Sequence, residues 1–245
     1  MSSGSSKSDT FKPAAFKRLR NAEENHFWFR IRRKWIFDRI RKFAPPPARL
    51  LEVGCGTGNV SYFLAGKGYS VLGCEYYPEA IKRAWPGIQL IQADAEKLPF
   101  EDNCFDIAGL FDVIEHFHDD IAVLKEAARV VKKHGLVILT VPAREELWSR
   151  IDETSCHKRR YTKERLKSLF SGAGLKPLST EYMFMSLYLP MKFMRSKSIR
   201  GEDQFNINRP VNTLLTLLFD MERLISGKFP LPIGTSLVAV ARKES

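Results

Sequence analysis

Residues 50–61 read Leu-Leu-Glu-Val-Gly-Cys-Gly-Thr-Gly-Asn-Val-Ser, so an apolar run meets an acidic residue and then three alternating glycines. This order predicts a β-strand, a tight loop and a helix, because glycine allows the positive φ that a sharp turn needs. A loop without side chains also lets a ligand reach backbone amides. A dinucleotide-binding fingerprint would place its third glycine at position 59, where this chain has Asn59.

Predicted strands and helices alternate along the chain on the carboxyl side of this loop. The strands are expected at residues 49–53, 70–74, 88–92, 105–111, 136–141, 175–185 and 236–241, and the helices at 59–66, 78–84, 119–132 and 162–171. Such alternation predicts an α/β fold, a Rossmann-like, doubly wound and mostly parallel sheet of seven strands with helices on both faces. Ligands bind such sheets at the carboxyl ends of the strands.

The flanking segments extend this core. We expect residues 1–10 to be a disordered tail or tag remnant, 11–47 to be an N-terminal helical segment, and 48–245 to be one domain. A helical insertion is predicted before the last strand, at about 186–232, and its apolar runs are too short to span a bilayer. It is expected to be a lid on its own domain, a cover for a hydrophobic substrate, or a peripheral membrane contact that uses Lys192, Arg195, Lys197 and Arg200.

The net charge of +11 would suit an anionic partner such as nucleic acid or a membrane surface. The basic residues occur in separate clusters rather than in one long tract, so general solubility explains the charge at least as well, and nucleic acid is not favoured. The four cysteines have no zinc-binding or C-x-x-C spacing, which fits a cytoplasmic protein. The sequence does not predict an oligomeric state.

The glycine loop and the segments after it, over roughly residues 48–180, resemble the class I S-adenosylmethionine (SAM)-dependent methyltransferases. The similarity is to the small-molecule branch (types 11 and 12) that includes the ubiquinone-biosynthesis methyltransferases. The resemblance implies SAM as the cofactor, with S-adenosylhomocysteine as its product. It also implies that Glu52 organises a cofactor pocket formed by Gly54, Cys55, Gly56, Thr57 and Gly58.

Acidic residues follow the next two strands. Glu75 lies about 20 residues after the glycine loop, where a carboxylate can accept both hydroxyls of a ribose. Tyr76 is expected to stack near the adenine. The resemblance places Asp94 at the adenine amino group and the backbone amide of Ala95 at a ring nitrogen.

Two further segments are candidates for the cofactor pocket. Phe111 and Val113 would form a wall around the adenosine and methyl groups, although core packing explains Phe111 almost equally well. Residues 26–34 combine aromatic and basic side chains, and Arg30 is the candidate for the cofactor carboxylate. The alternative is an amphipathic helix with a solvated basic face.

Methyl transfer requires alignment, exclusion of water and a base for the proton of the nucleophile. His116 and His157 are the candidate catalytic residues, and His116 is expected to titrate near neutrality. The leading interpretation contains no metal. A minority alternative uses Asp112, Glu115 and His116, completed by His157, to hold a divalent cation that orients the acceptor.

The sequence therefore predicts a SAM-dependent methyltransferase for a small, lipophilic or aromatic acceptor, with oxygen as the methylated atom. The apolar insertion favours such an acceptor over a polar one. Three alternatives remain open: an RNA or protein methyltransferase, a non-catalytic SAM-binding partner protein, and a dinucleotide-dependent oxidoreductase. The RNA alternative is weakened because no Asn/Asp-Pro-Pro-Tyr/Phe motif follows the fourth predicted strand.

Overall fold

The computed structural model describes residues 13–194 and 207–244. Seven strands form a single sheet in this part of the chain. The strands are β1 (Arg49–Val53), β2 (Ser70–Glu75), β3 (Gln89–Gln92), β4 (Phe105–Phe111), β5 (Val131–Pro142), β6 (Leu175–Met183) and β7 (Ser236–Lys243).

The sheet is mixed but mostly parallel, as the sequence predicts. Its strand order is β3-β2-β1-β4-β5-β7-β6, and only β7 runs antiparallel to its neighbours. Because β5 and β6 both run antiparallel to β7, they are parallel to each other. The carboxyl ends of β1 to β6 therefore lie at the same edge of the sheet, and that edge positions the candidate site.

Helices cover both faces. They are α1 (Pro13–Asn25), α2 (Phe27–Phe43), α3 (Asn59–Ala65), α4 (Pro78–Ile81), α5 (Asp120–Val130), α6 (Arg150–Thr154), α7 (Lys163–Gly172), α8 (Tyr188–Met194) and α9 (Arg209–Ser226).

Alternate residues of β1 enter different cores, as expected for a strand covered on both faces. Leu51 and Val53 pack in a cluster with side chains of α5 and α7. Leu50 packs in a second cluster with Ile36 and Ile40 of α2 and with apolar residues of α3. The doubly wound prediction is thus confirmed.

Several element boundaries differ from the predicted ones. The N-terminal helical segment is divided at His26, whose side chain accepts a hydrogen bond from the Trp28 amide and caps α2. Strand β5 begins at Val131 instead of residue 136, because Val131 already pairs with Phe105 ahead of an irregularity in register. Helix α4 is a single turn that ends at Ile81.

The insertion leaves the sheet after β6 and packs against α2. Phe27, Ile31 and Trp35 of α2 form a buried cluster with Phe184 and Phe219. No helix among the described residues combines the length and apolar character needed to cross a membrane. The predicted tail at residues 1–10 and the basic residues Arg195, Lys197 and Arg200 lie outside the described residues.

Candidate functional site

The glycine loop between β1 and α3 adopts backbone angles that favour glycine. Gly54, Gly56 and Gly58 have φ values of 66°, 57° and 81°. A Cβ atom on Gly54 would lie 2.8 Å from a methyl carbon of Val113, whereas a Cβ atom on Gly56 would have no neighbour within 4 Å. Gly54 is therefore required by packing, while the backbone of Gly56 remains open to close approach by a ligand.

Glu75 ends β2 and holds this loop in place. Its carboxylate accepts the N–H of Gly56 at 2.8 Å and the N–H of Tyr77 at 2.9 Å. Burial raises the pKa of Glu75, and the backbone hydrogen bonds oppose that rise. Since each carboxylate oxygen offers two lone pairs, Glu75 can still accept from further donors such as ribose hydroxyls.

Glu52 lies deep beneath the loop, on β1. Its side chain is buried, and Ser61 of α3 donates a hydrogen bond to its carboxylate. Burial raises the pKa of Glu52 to about 7, and the Ser61 hydrogen bond opposes that rise. Glu52 thus ties the strand to the helix on either side of the loop, which agrees with an organising role.

Glu23 of α1 reaches the same loop, although no sequence motif marks it as a loop contact. Its carboxylate accepts hydrogen bonds from the Thr57 hydroxyl and, at 3.0 Å, from Nε1 of Trp85. The backbone carbonyl of Glu23 also accepts from Asn59 Nδ2 at 3.4 Å. These hydrogen bonds connect α1 to the glycine loop. Local sequence patterns do not predict the contact, because Glu23 and Glu24 are adjacent glutamates that the sequence alone does not distinguish.

The segments that follow β2 and β3 carry the predicted adenosine contacts. Asp94 is exposed and accepts the Glu96 amide at 2.9 Å, while Ala95 is buried. Tyr76 is exposed over 58% of its surface and packs edge-on against Tyr77 at 5.3 Å between ring centroids. Both Tyr76 and Asp94 are accessible at the carboxyl edge of the sheet, and their cofactor roles stay predictions.

The apolar side chains predicted to wall the site point partly into the core. Phe111 is buried in the cluster of α2 and α3, so its ring serves core packing. Val113 contacts Gly54, as described above. The Cys55 thiol is buried against the β2 backbone at Gly73, which leaves the backbone of Cys55 as the part that can meet a ligand.

Arg32, rather than Arg30, is the α2 arginine that reaches the strand ends. Arg30 is exposed, whereas Arg32 is buried. Nη2 of Arg32 donates to the Phe111 carbonyl at 2.6 Å and lies 2.5 Å from Oδ2 of Asp112. Helical spacing could have identified it, since Arg32 precedes the buried Ile36 by four residues.

A compact polar cluster lies beyond β4. One ligand atom each of Glu115, His116 and His157 falls within 4.8 Å of the others. The two imidazole centroids are 4.9 Å apart in an edge-to-face arrangement. The Lys158 amide donates to the Glu115 carbonyl at 2.7 Å, which joins the loop before α7 to the turn Ile114–His116.

Asp152 orients one of these histidines and was also missed at the sequence level. Nδ1 of His157 lies 2.9 Å from Oδ1 of Asp152. Arg160 donates two hydrogen bonds of 2.9 Å to the same buried carboxylate. Because an ionised carboxylate only accepts hydrogen bonds, Asp152 favours the form of His157 that carries its proton on Nδ1, and Nε2 is then the ring atom free to accept a proton or bind a cation.

Burial determines the electrostatics of the cluster. It lowers the pKa of His116 to about 4, and the neighbouring His157 acts in the same direction, so the expectation of titration near neutrality is replaced by a neutral imidazole. Burial raises the pKa of Glu115 well above its usual range, and the charge of Asp112 adds to this. Among the described residues, neither carboxylate oxygen of Glu115 has a hydrogen-bond partner.

Comparisons with known proteins agree with this architecture. A family model described as a methyltransferase domain matches residues 51–139. A Mycobacterium tuberculosis protein named "probable S-adenosylmethionine-dependent methyltransferase" is 31% identical over 156 residues, 61% of this chain and 56% of that protein. The demethylmenaquinone methyltransferase of Lysinibacillus sphaericus is 30% identical over 129 residues, 49% of this chain and 55% of that enzyme. The chain thus spans about half the length of these curated relatives.

A solved structure shows the same fold. The phosphoethanolamine N-methyltransferase 2 of Haemonchus contortus, in complex with SAM, superimposes with a TM-score of 0.59 and 17% identity. The match covers 86% of this chain and 52% of that one.

Proposed function

This chain belongs to the class I SAM-dependent methyltransferases, and we propose that it transfers the methyl group of SAM to an oxygen of a small, lipophilic or aromatic acceptor. The observation that carries the proposal is the short connection between the glycine loop and the histidine pair. Val113 contacts Gly54, and the His116 amide donates to the Val113 carbonyl at 3.1 Å. A methyl group held at the loop would therefore be separated from the His116 imidazole by the single turn Ile114–His116.

The cofactor half of the proposal uses the loop and the two carboxylates around it. The Gly56 backbone and its neighbours would receive the amino-acid end and the sulfonium of SAM. Glu75 would accept from the ribose hydroxyls, while Asp94 and Ala95 would meet the adenine. These roles are supported by the position of all four residues at the carboxyl edge of one sheet.

In the proposed methyl transfer, one bond is formed and one is broken. An acceptor oxygen bonds to the methyl carbon as the carbon–sulfur bond of the sulfonium breaks, which leaves S-adenosylhomocysteine. The acceptor proton passes to Nε2 of His157, held in place by Asp152, or to the neutral ring of His116. An imidazole oriented by a buried carboxylate is a common arrangement for a general base.

The aromatic residues of α2 and the insertion support an apolar acceptor. The rings of Trp28 and Phe184 stack with centroids 6.2 Å apart, and the rings of Phe27 and Phe219 stack at 5.3 Å. The Arg32 guanidinium lies 5.1 Å from the Trp28 ring and also pairs with Asp112. Aromatic side chains therefore continue from the insertion to the polar cluster. A matched relative bears the name demethylmenaquinone methyltransferase, which is consistent with a quinone-like acceptor.

A divalent cation remains an alternative to direct base catalysis. Glu115, His116 and His157 would be its ligands, because Glu115 is buried without a hydrogen-bond partner among the described residues and both imidazoles lie beside it. When bound, the ion would lower the pKa of an acceptor hydroxyl. Asp112, a member of the predicted ligand set, instead pairs with Arg32.

The metal alternative can be tested without an activity assay. Manganese binding to the purified protein can be followed by paramagnetic resonance, for the parent chain and for Glu115→Gln. Binding that is lost in Glu115→Gln supports the cation, whereas equal binding by both, or none, leaves the histidines as the proton acceptors.

The proposed reaction is tested by incubating the purified protein with SAM and a panel of lipophilic catechols and hydroquinones. Mass spectrometry of the products should show a gain of one methyl group on oxygen. A product methylated on nitrogen or carbon would overturn the assignment of oxygen. Binding of S-adenosylhomocysteine without turnover of any acceptor would favour the non-catalytic alternative.

A further inference from the structure

Helix α9 packs on the protein through its polar side. Nζ of Lys34 in α2 lies 2.7 Å from Oδ2 of Asp220, and the Arg223 guanidinium pairs with the Asp38 carboxylate. Glu222 is buried and accepts the Met185 amide at 2.7 Å. Phe219 and the partly buried Leu215 supply apolar contacts on the inner side of α9, and these ion pairs and hydrogen bonds supply polar ones.

The opposite side of α9 is apolar and exposed. Its exposed residues recur at intervals of three and four, so they form one stripe along the helix, which we call the outer stripe. Leu217, Met221 and Leu224 each expose more than 60% of their surface. The outer stripe consists of Leu214, Leu217, Leu218, Met221, Leu224 and Ile225.

Further large apolar side chains are exposed on α8, which like α9 contacts the turn Met185–Leu187, and just after α9. Leu189 and Phe193 of α8 are exposed by 58% and 75%, and Phe229, just after α9, by 69%. A soluble protein seldom leaves so many large apolar side chains in water on neighbouring elements without a partner that covers them.

The charges around the outer stripe indicate the kind of partner. The two acidic residues of α9, Asp220 and Glu222, are both engaged on its inner side. Among the described residues, the exposed charges near the ends of the helix are basic, Arg209 at the start and Lys228 just past the end, and Lys192 lies between the exposed residues of α8. This combination suits a surface that is apolar beneath and negatively charged above, as an anionic bilayer is.

A second copy of the chain fits less well. A two-fold axis that paired two outer stripes would bring Arg209 against either Arg209 or Lys228 of the other copy, depending on helix direction. The stripe has no carboxylate to compensate these like charges.

The topology connects this surface to the candidate site. The insertion emerges from the carboxyl end of β6, which lies at the same edge of the sheet as the carboxyl ends of β1 to β5. Its Phe184 stacks on Trp28, and the Trp28 ring in turn meets Arg32, the partner of Asp112. A lipid surface at the outer stripe would therefore lie next to the acceptor side of the site.

We propose that α8 and the outer stripe of α9 lie in the interfacial region of an anionic lipid bilayer, from which the enzyme takes its lipophilic acceptor. The source of the acceptor rests on the proposed function, whereas the docking itself does not.

The test is sedimentation of the full chain with lipid vesicles. Vesicles of pure phosphatidylcholine are compared with vesicles that contain about one quarter phosphatidylglycerol. We expect the protein to sediment with the anionic vesicles and to be released by salt. Triple substitution of Leu217, Met221 and Leu224 by serine should reduce binding by about tenfold or more. Lys192→Glu with Lys228→Glu should also weaken it, while Lys176→Glu, an exposed lysine on β6, should not.

Two outcomes would overturn the docking proposal. One is absence of binding to the anionic vesicles. The other is a dimer in light scattering that becomes a monomer in the triple variant, which would assign the outer stripe to a second copy. Methylation of a water-soluble acceptor, measured in parallel, separates the two proposals, because it should persist in the triple variant even when vesicle binding is lost.

Discussion

At the scale of single residues, we expect cofactor affinity to depend on Glu75, which holds the glycine loop. Replacing it by alanine removes an acceptor for ribose and leaves the Gly56 amide without its partner. We expect Glu75→Ala to weaken binding of S-adenosylhomocysteine by about 1–3 kcal/mol, the usual cost of unmatched buried polar groups.

Calorimetry measures this directly, and Glu79→Ala is the matched control because Glu79 is a partly exposed glutamate four residues away that pairs with Lys82 and Arg83. Thermal unfolding shows whether each variant remains folded. A folded Glu75→Ala protein with unchanged affinity would remove Glu75 from the ribose site.

The histidine pair is expected to affect turnover rather than cofactor binding. His116→Ala or His157→Ala removes a proton acceptor, so kcat should fall by roughly 10²–10⁴ for the one that serves as the base. His118→Ala, an exposed histidine, serves as the control. If kcat with a hydroxyl acceptor is unaltered in both variants, neither residue is the base.

Glu52 should make stability depend on pH. Its folded-state pKa of about 7 lies above the ordinary value of 4.5, so the folded protein retains a proton that the unfolded chain has lost. This contribution to stability is present below about pH 4.5 and is lost as pH rises to about 7. It amounts to roughly 3 kcal/mol at 1.4 kcal/mol per pKa unit.

Urea unfolding of the parent and of Glu52→Gln across this pH range provides the test. The stability difference between them should change with pH in the stated direction, while Glu79→Gln should parallel the parent. A pH-independent difference between Glu52→Gln and the parent would contradict the raised pKa.

At this scale the sequence identified the residues that belong to local motifs. Gly54, Glu52 and Glu75 are recognisable from their spacing around one loop, and the structure brings them together there. Glu23 was not recognisable, because its partners Thr57 and Trp85 lie far away in sequence. Asp152 lies only five residues before His157, but the adjacent Glu153 offers the same charge, so the local pattern does not single out Asp152. Arg32 could be inferred only by counting helical turns from Ile36.

At the scale of elements, α1 is expected to hold the glycine loop in a binding-competent form. Glu23→Gln weakens the hydrogen bonds to Thr57 and Trp85, so S-adenosylhomocysteine should bind less tightly and dissociate faster. Glu24→Gln changes the adjacent glutamate, which in the described part of the chain pairs with Arg20 at the surface.

Stopped-flow dissociation of the ligand compares the two variants. Equal rates for Glu23→Gln and Glu24→Gln would mean that α1 packs on the loop without affecting it.

Element positions were predictable where the local pattern is strong. The β1–loop–α3 unit follows from its glycines, and α7 follows from its threonine cap at Thr162. The early start of β5 was not predictable, because it depends on pairing with Phe105 across the sheet. The orientation of α9 was also hidden, since an amphipathic pattern does not tell which face turns inward.

At the scale of the whole molecule, the sheet topology explains why a small set of loops forms one site. Glu75 ends β2, and His157 lies in the connection that follows β5. Both come to the same edge because β2 and β5 run in the same direction in the sheet. The alternation of strands and helices predicted this arrangement. The proposed acceptor side, between α2 and the insertion, has no comparable sequence pattern, because its apolar contacts join segments that are far apart in the chain.

The most direct test of the account is transfer of a labelled methyl group from SAM into an extract of the source cells, with Glu75→Ala as the control for cofactor-dependent labelling. The products are divided into solvent-extractable, nuclease-sensitive and protein fractions. The account predicts label in the solvent-extractable fraction with the parent chain and a marked decrease with Glu75→Ala. Label confined to the nuclease-sensitive or protein fraction would contradict it.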